Sequence, residues 1–124
     1  MKKYLKVEDV KAYQIAFVLS QDVWNIVDEW NYFAQKTIGN QYVNSTDSVS
    51  ANIAEGWGRH HKKDKIKFFY NARGSAEESK DWTKKAFNRK LITEEPYEHI
   101  LEQIEKLNKE INFLIYITNK KLTE

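Results

Sequence analysis

The chain has 124 residues, enough for one domain with a core that needs no metal or disulfide staple. Cysteine is absent, which excludes a disulfide framework and a thiolate zinc site. Twenty basic and eighteen acidic residues leave a net charge of +2, which alone names no partner. The distribution says more: residues 7–58 carry −5, residues 59–90 carry +7 and residues 91–124 carry −3. A basic segment between acidic neighbours reads either as charge matching between helices or as an anion-binding surface. The N-terminal "MKKYLKVEDVKAY" lacks the apolar run of a signal peptide, and no stretch is long and apolar enough to span a bilayer. A cytoplasmic protein with no membrane partner is expected.

Only one Pro and four Gly punctuate the chain, which predicts a few long helices. The first is expected from about residue 9 to 35. Val10, Tyr13, Phe17, Ser20, Trp24 and Val27 form one stripe at spacings of three and four. Ala12, Ala16, Leu19, Val23, Ile26, Trp30 and Phe33 form a second. Together they cover more than half the circumference, an arc that calls for burial on two sides, by the bundle itself or by another copy of the chain. Gly39 predicts a break. The second helix is expected over 40–57, with Tyr42, Thr46, Val49 and Ile53 inward. Gly56 and Gly58 predict the next break. The third helix is expected over 63–90, with Asp64 as a candidate cap and Phe68, Ala72, Ser75, Ser79, Trp82 and Ala86 as its inner stripe. Gly74 inside it predicts a site where no side chain fits. The fourth helix is expected over 93–120, capped by Thr93 with Pro96 in its first turn. Its stripe Tyr97, Ile100, Ile104, Leu107, Ile111, Leu114 and Thr118 alternates three and four throughout. The expected fold is all-α: one domain, residues 1–124, an antiparallel up-down-up-down four-helix bundle.

"SVSANIAEGWGR" places Ser48, Asn52, Glu55 and Arg59 on one helix face, and "FFYNARGSAEES" adds Arg73, Ser75 and Glu78. A carboxylate facing guanidinium groups can form charge-assisted, bidentate pairs, which makes Glu55, Arg59 and Arg73 the expected polar network. These residues read chiefly as structural, fixing the register of helices or subunits; a ligand or catalytic site at Asn52, Glu55 and Arg73 is the alternative. Arg59, Lys62, Lys63, Lys65 and Lys67, with Lys80 and Lys84 further on, are the candidate contacts to nucleic-acid phosphates. His60, His61 and Asp64 lack a fourth ligand and form a poor zinc site. No Glu-x-x-His pair suits a di-iron bundle, and no glycine-rich phosphate loop precedes a Lys-Ser or Lys-Thr. No metal, no cofactor and no enzymatic activity are expected.

These two motifs closely resemble the small bacterial four-helix bundle proteins of the 23S ribosomal RNA intervening-sequence family, which includes the accessory variability determinant of diversity-generating retroelements. The matched positions are Ser48, Asn52, Ile53, Glu55, Gly56, Arg59, Phe68, Arg73, Gly74, Ser75 and Glu78. The resemblance implies a homopentameric barrel and, from the retroelement member, binding of RNA or DNA and association with a reverse transcriptase. Ser50 stands where that family usually has Pro, and Val43 and Asn44 stand where it usually has an Arg pair. The missing pair weakens a nucleic-acid role for helix 2; Lys80 adds positive charge to helix 3.

Overall fold

In a computed structural model, residues 5–121 are described. They form four long helices and no strands. A 3-10 turn, Val7–Asp9, leads into α1, Lys11–Asp28. A helical turn, Tyr32–Ala34, and a π-helical segment, Gln35–Gly39, run directly into α2, Asn40–Gly58. α3 spans Lys62–Asn88 and α4 spans Glu94–Lys121. Each helix packs on its neighbours in sequence, and α1 also packs on α4.

α1 ends at Asp28, well short of its expected end, and the chain does not break at Gly39. The reason is side-chain capping. Asn31 accepts the Ala34 N–H through its Oδ1 at 3.0 Å, starting a new helical turn. Gln35 reaches back and donates to the carbonyls of Val27 and Asp28, satisfying the open end of α1. Gly39 lies within continuous helix; a Cβ there would meet Val27 Cγ1 at 2.9 Å. Its smallness lets the π-helical segment press against α1.

The inner faces follow the predicted stripes on three helices. Ala12, Ala16, Leu19 and Val23 of α1 are buried, as are Tyr42, Thr46, Val49 and Ile53 of α2. On α4 the buried set is Ile100, Ile104, Leu107, Ile111 and Leu114. On α3 the face is turned slightly: Phe69, Ala72, Ala76, Ser79, Thr83 and Ala86 are buried, while Phe68, Ser75 and Trp82 sit at its half-buried margin. The α2–α3 seam is polar at its centre. Tyr42 Oη and Thr83 Oγ1 lie 2.7 Å apart. Ser79 shares its hydroxyl hydrogen between the Ser75 carbonyl at 2.8 Å and Ser45 Oγ at 3.0 Å. These pairs ascend one helix as they descend the other, so α2 and α3 run antiparallel.

The glycines divide by what surrounds them. At Gly56 a Cβ would meet Phe69 Cε1 at 2.7 Å and the Lys65 carbonyl oxygen at 3.0 Å, so this residue sets the approach of α3 to the end of α2. Gly74, expected to fill a tight contact, faces solvent instead; a methyl added there would meet nothing within 4 Å. Asp64 does not cap α3: His61 occupies the N-cap position without a side-chain bond. At the far end, Lys90 takes φ 62°, and the amides of Lys90 and Leu91 close the helix on the carbonyls of Phe87 and Ala86. Trp30, past the end of α1, donates Nε1–H to the Leu91 carbonyl at 2.9 Å and stacks on Tyr42. This ties the α1–α2 and α3–α4 connections together.

Candidate functional site

The motif on α2 makes its bonds locally. Ser48 Oγ donates to the Asn44 carbonyl and Asn52 Nδ2 to the Ser48 carbonyl, each at 2.8 Å. Glu55 and Arg59 pair at 2.8 Å one turn apart, with both side chains about half exposed. The Arg59 guanidinium also lies 4.7 Å from the centre of the Phe68 ring. An exposed pair of this kind contributes well under about 1 kcal/mol.

Arg73 does not join them. It donates to Asn112 Oδ1 on α4 and lies over the Tyr70 ring at 4.8 Å. Glu78 instead accepts from Trp82 Nε1 at 3.1 Å. Helical geometry explains the separation: five residues turn a helix by about 140°, so Arg73 and Glu78 occupy opposite flanks of α3. The side chain of Ser75 sits at the half-buried margin, and its carbonyl takes the Ser79 hydroxyl. Within one chain the expected Glu55–Arg59–Arg73 network is therefore two separate contacts, and no hydrogen bond or ion pair among the described residues joins Asn52, Glu55 and Arg73.

The basic candidates also divide. Lys65 donates to the Trp57 carbonyl at 2.9 Å and so closes the end of α2; burial holds its ammonium below the usual lysine range. Lys62 reaches the Asn119 carbonyl at 3.5 Å. Lys63, Lys67 and Lys84 make no ion pair among the described residues, and Lys80 is half-buried. Lys67 and Lys84 stand roughly 25 Å apart along α3 at a rise of about 1.5 Å per residue. Glu77, Glu78 and Asp81 lie between them. Two basic clusters result, one at the α2–α3 turn and one at the C-terminal end of α3. The second gathers Lys85, Arg89 and, from the π-helical segment, Lys36, none of which stands out in the sequence. Lys85 and Arg89 are four apart and readable as neighbours; Lys36 arrives only through the fold.

His60 and His61 are exposed, with their rings edge to face at 5.1 Å. Among the described residues no group of three or more His, Cys, Asp or Glu gathers as metal ligands. Among them, too, no helix is long and apolar enough to cross a membrane.

A third feature is the outer flank of α1. Phe17 is 54% exposed, Val18 56% and Trp24 56%. These include the outer members of the first stripe, so the surplus apolar arc is left uncovered by the bundle. Trp24 opens onto a groove of about 240 Å³ between α1 and α2, shared with Asp28, Asn40 and Asn44. Phe113 and Tyr116 of α4 are each 57% exposed.

Residues 8–113 match the family model described as 23S rRNA-intervening sequence protein. That span takes in α1, α2, α3 and most of α4. The chain belongs to the 23S rRNA-intervening sequence protein family. Its fold is similar to a crystal structure of a protein of unknown function from the S23 ribosomal protein family of Bacteroides thetaiotaomicron, with a TM-score of 0.75. The two are 22% identical over 84% of this chain and 97% of the other. Among curated proteins none matches.

Proposed function

We propose that this member of the family is a non-enzymatic, cytoplasmic scaffold that works as a homo-oligomer. In this reading the four helices alternate up-down-up-down, and bundles associate side by side into the pentameric barrel that the motif resemblance implies. The observation that carries it is the half-exposed Phe17, Val18 and Trp24 on α1. Phe17 and Trp24, seven residues apart on one helix flank, with Val18 on the adjoining outer face, form the kind of patch that marks an association surface. Gly74 supports it: a glycine in mid-helix costs about 1 kcal/mol against Ala, and no contact within the chain requires it. A backbone approaching from another copy would.

RNA or DNA is the proposed partner of the assembled form. Lys63 and Lys67, without ion pairs among the described residues, sit with Arg59 and Lys62 around one turn. Repeating that turn around a ring multiplies its field and gives sequence-independent, salt-sensitive binding. A reverse transcriptase is the protein partner that the resemblance suggests. Mass measurement in solution with and without a generic RNA, across salt, tests the proposal. Assembly with salt-dependent RNA retention supports it in full. Assembly without RNA retention leaves a pure assembly module, and a monomer at every concentration removes both.

A further inference from the structure

A hollow of about 450 Å³ lies at the C-terminal end of α3. It is walled by Lys36 and Thr37 of the π-helical segment, Gln41 of α2, and Trp82, Lys85 and Arg89 of α3. Sites for small ligands run from roughly 300 to 1,000 Å³, so this one suits a ligand of modest size. Trp82, Lys85 and Arg89 share a face because their spacings are three and four. Lys36 and Thr37 reach the same wall from a π-helical turn, an irregularity that recurs at functional sites.

Charge narrows the ligand. Lys36, Lys85 and Arg89 contribute three positive charges. Asp81 pairs with Lys85 at 2.7 Å and Glu78 is held by Trp82 Nε1, which leaves Lys36 and Arg89 without an ion pair among the described residues. The aromatic faces that hold the ammonium groups do not neutralise them: Lys36 lies over Tyr32 at 5.4 Å and Lys85 over Trp82 at 4.5 Å. A phosphate monoester carries about −1.5 to −2 near neutral pH, whereas each diester in a strand carries one charge. Two cations free of ion pairs among the described residues, Lys36 and Arg89, match the doubly charged terminal phosphate better than a single diester of a strand. The remaining wall offers the Gln41 amide as donor and acceptor, the Thr37 hydroxyl oxygen as acceptor, since its hydrogen goes to the Phe33 carbonyl, and the Trp82 indole, one face of which Lys85 covers.

We propose that this pocket binds one nucleotide by its terminal phosphate, with Lys36 and Arg89 as the phosphate contacts. The inference stands apart from assembly and from the basic α2–α3 turn. Lys67 and Arg89 are roughly 33 Å apart along α3 at about 1.5 Å per residue. The ligand is either a free mononucleotide or the 5′-phosphorylated end of an oligonucleotide.

Calorimetric titration of the full chain with uridine monophosphate, uridine, and a short oligouridine with and without a 5′-phosphate tests it. The expected result is saturable binding of uridine monophosphate, one per chain, with uridine at least about tenfold weaker. The double substitution Lys36→Gln and Arg89→Gln weakens binding by at least about tenfold, at an unchanged melting temperature. The pair Lys63→Gln and Lys67→Gln leaves it unchanged. Tighter binding of the 5′-phosphorylated oligomer identifies a strand end; equal or weaker binding identifies the free nucleotide. The proposal is overturned if uridine binds as well as its monophosphate, if Lys36→Gln and Arg89→Gln changes nothing, or if no saturable binding occurs. The comparison of uridine with its monophosphate uses the unaltered chain and needs no variant to fold.

Discussion

Tyr42 is the residue on which the polar part of the core turns. It is fully buried, its hydroxyl 2.7 Å from Thr83, and burial pushes the phenol up to about 12. A phenol that ionises at about 10 when unfolded and about 12 when folded favours the folded state fully below pH 10. That contribution is lost as pH climbs from 10 towards 12. Tyr42→Phe should cost about 1 kcal/mol at neutral pH, from the lost hydrogen bond, and should flatten the alkaline loss of stability. Chemical unfolding at neutral pH and about one unit above the ordinary tyrosine range measures both. Asp47 carries a smaller effect of the same sign, since partial burial raises its carboxyl. The folded state gains most while Asp47 is protonated and loses that gain as pH rises through the carboxylate range. Asp47→Asn should stabilise the protein at neutral pH by a few tenths of a kcal/mol, about the size of a surface effect. Its advantage over the parent should shrink in acid. Lys90 holds a left-handed conformation suited to glycine, at φ 62°. Lys90→Gly should raise stability by about 1 kcal/mol, read as a higher melting temperature.

At the scale of elements, the two glycines of the motifs make opposite predictions. Gly56→Ala drives a methyl against Phe69 and the Lys65 carbonyl, and should cost about 1–3 kcal/mol because backbone must move. Gly74→Ala meets nothing within the chain. It should stabilise an isolated bundle by roughly 0.5–1 kcal/mol yet weaken assembly if another copy packs there. Unfolding and sedimentation of the same two variants separate these effects. The same elements show what the sequence could and could not disclose. The stripe from Ile100 to Leu114 is readable because its alternation is unbroken and Thr93 and Pro96 mark its start. The end of α1 is not, because Trp30 and Phe33 continue its apolar rhythm past Asp28. Asn31 carries a cap signal there, but apolar spacing outweighs it. Gly39 reads as punctuation because a glycine that ends a helix and one that admits a neighbouring helix look alike in one dimension. Ser48, Asn52 and Glu55 fall on α2, as their spacing suggests, whereas Arg59 lies just past its end in extended backbone and still reaches back to Glu55. The partner of Arg73 is hidden, because which flank of α3 meets α2 and which meets α4 is decided only when the bundle closes. Lys36 is hidden for the same reason.

The whole molecule combines a core of sequential helix contacts with surface that one chain leaves unused. Charge lies at two ends of α3, and aromatic surface lies along α1. Raising salt should weaken RNA binding steeply while leaving assembly through Phe17 and Trp24 nearly unchanged, since one is a phosphate effect and the other apolar burial. Substituting Phe17→Ser and Trp24→Ser should lower the mass of the assembly without unfolding the chain, because neither residue belongs to the buried core. Far-ultraviolet circular dichroism beside the mass reading checks that the helices persist.

The most direct test is the mass of the unaltered protein by sedimentation over a wide concentration range. A single five-chain species that falls apart when Phe17 and Trp24 become serine is the expected result. A well-folded single chain at the highest concentration, its α1 flank open to water, would contradict the account.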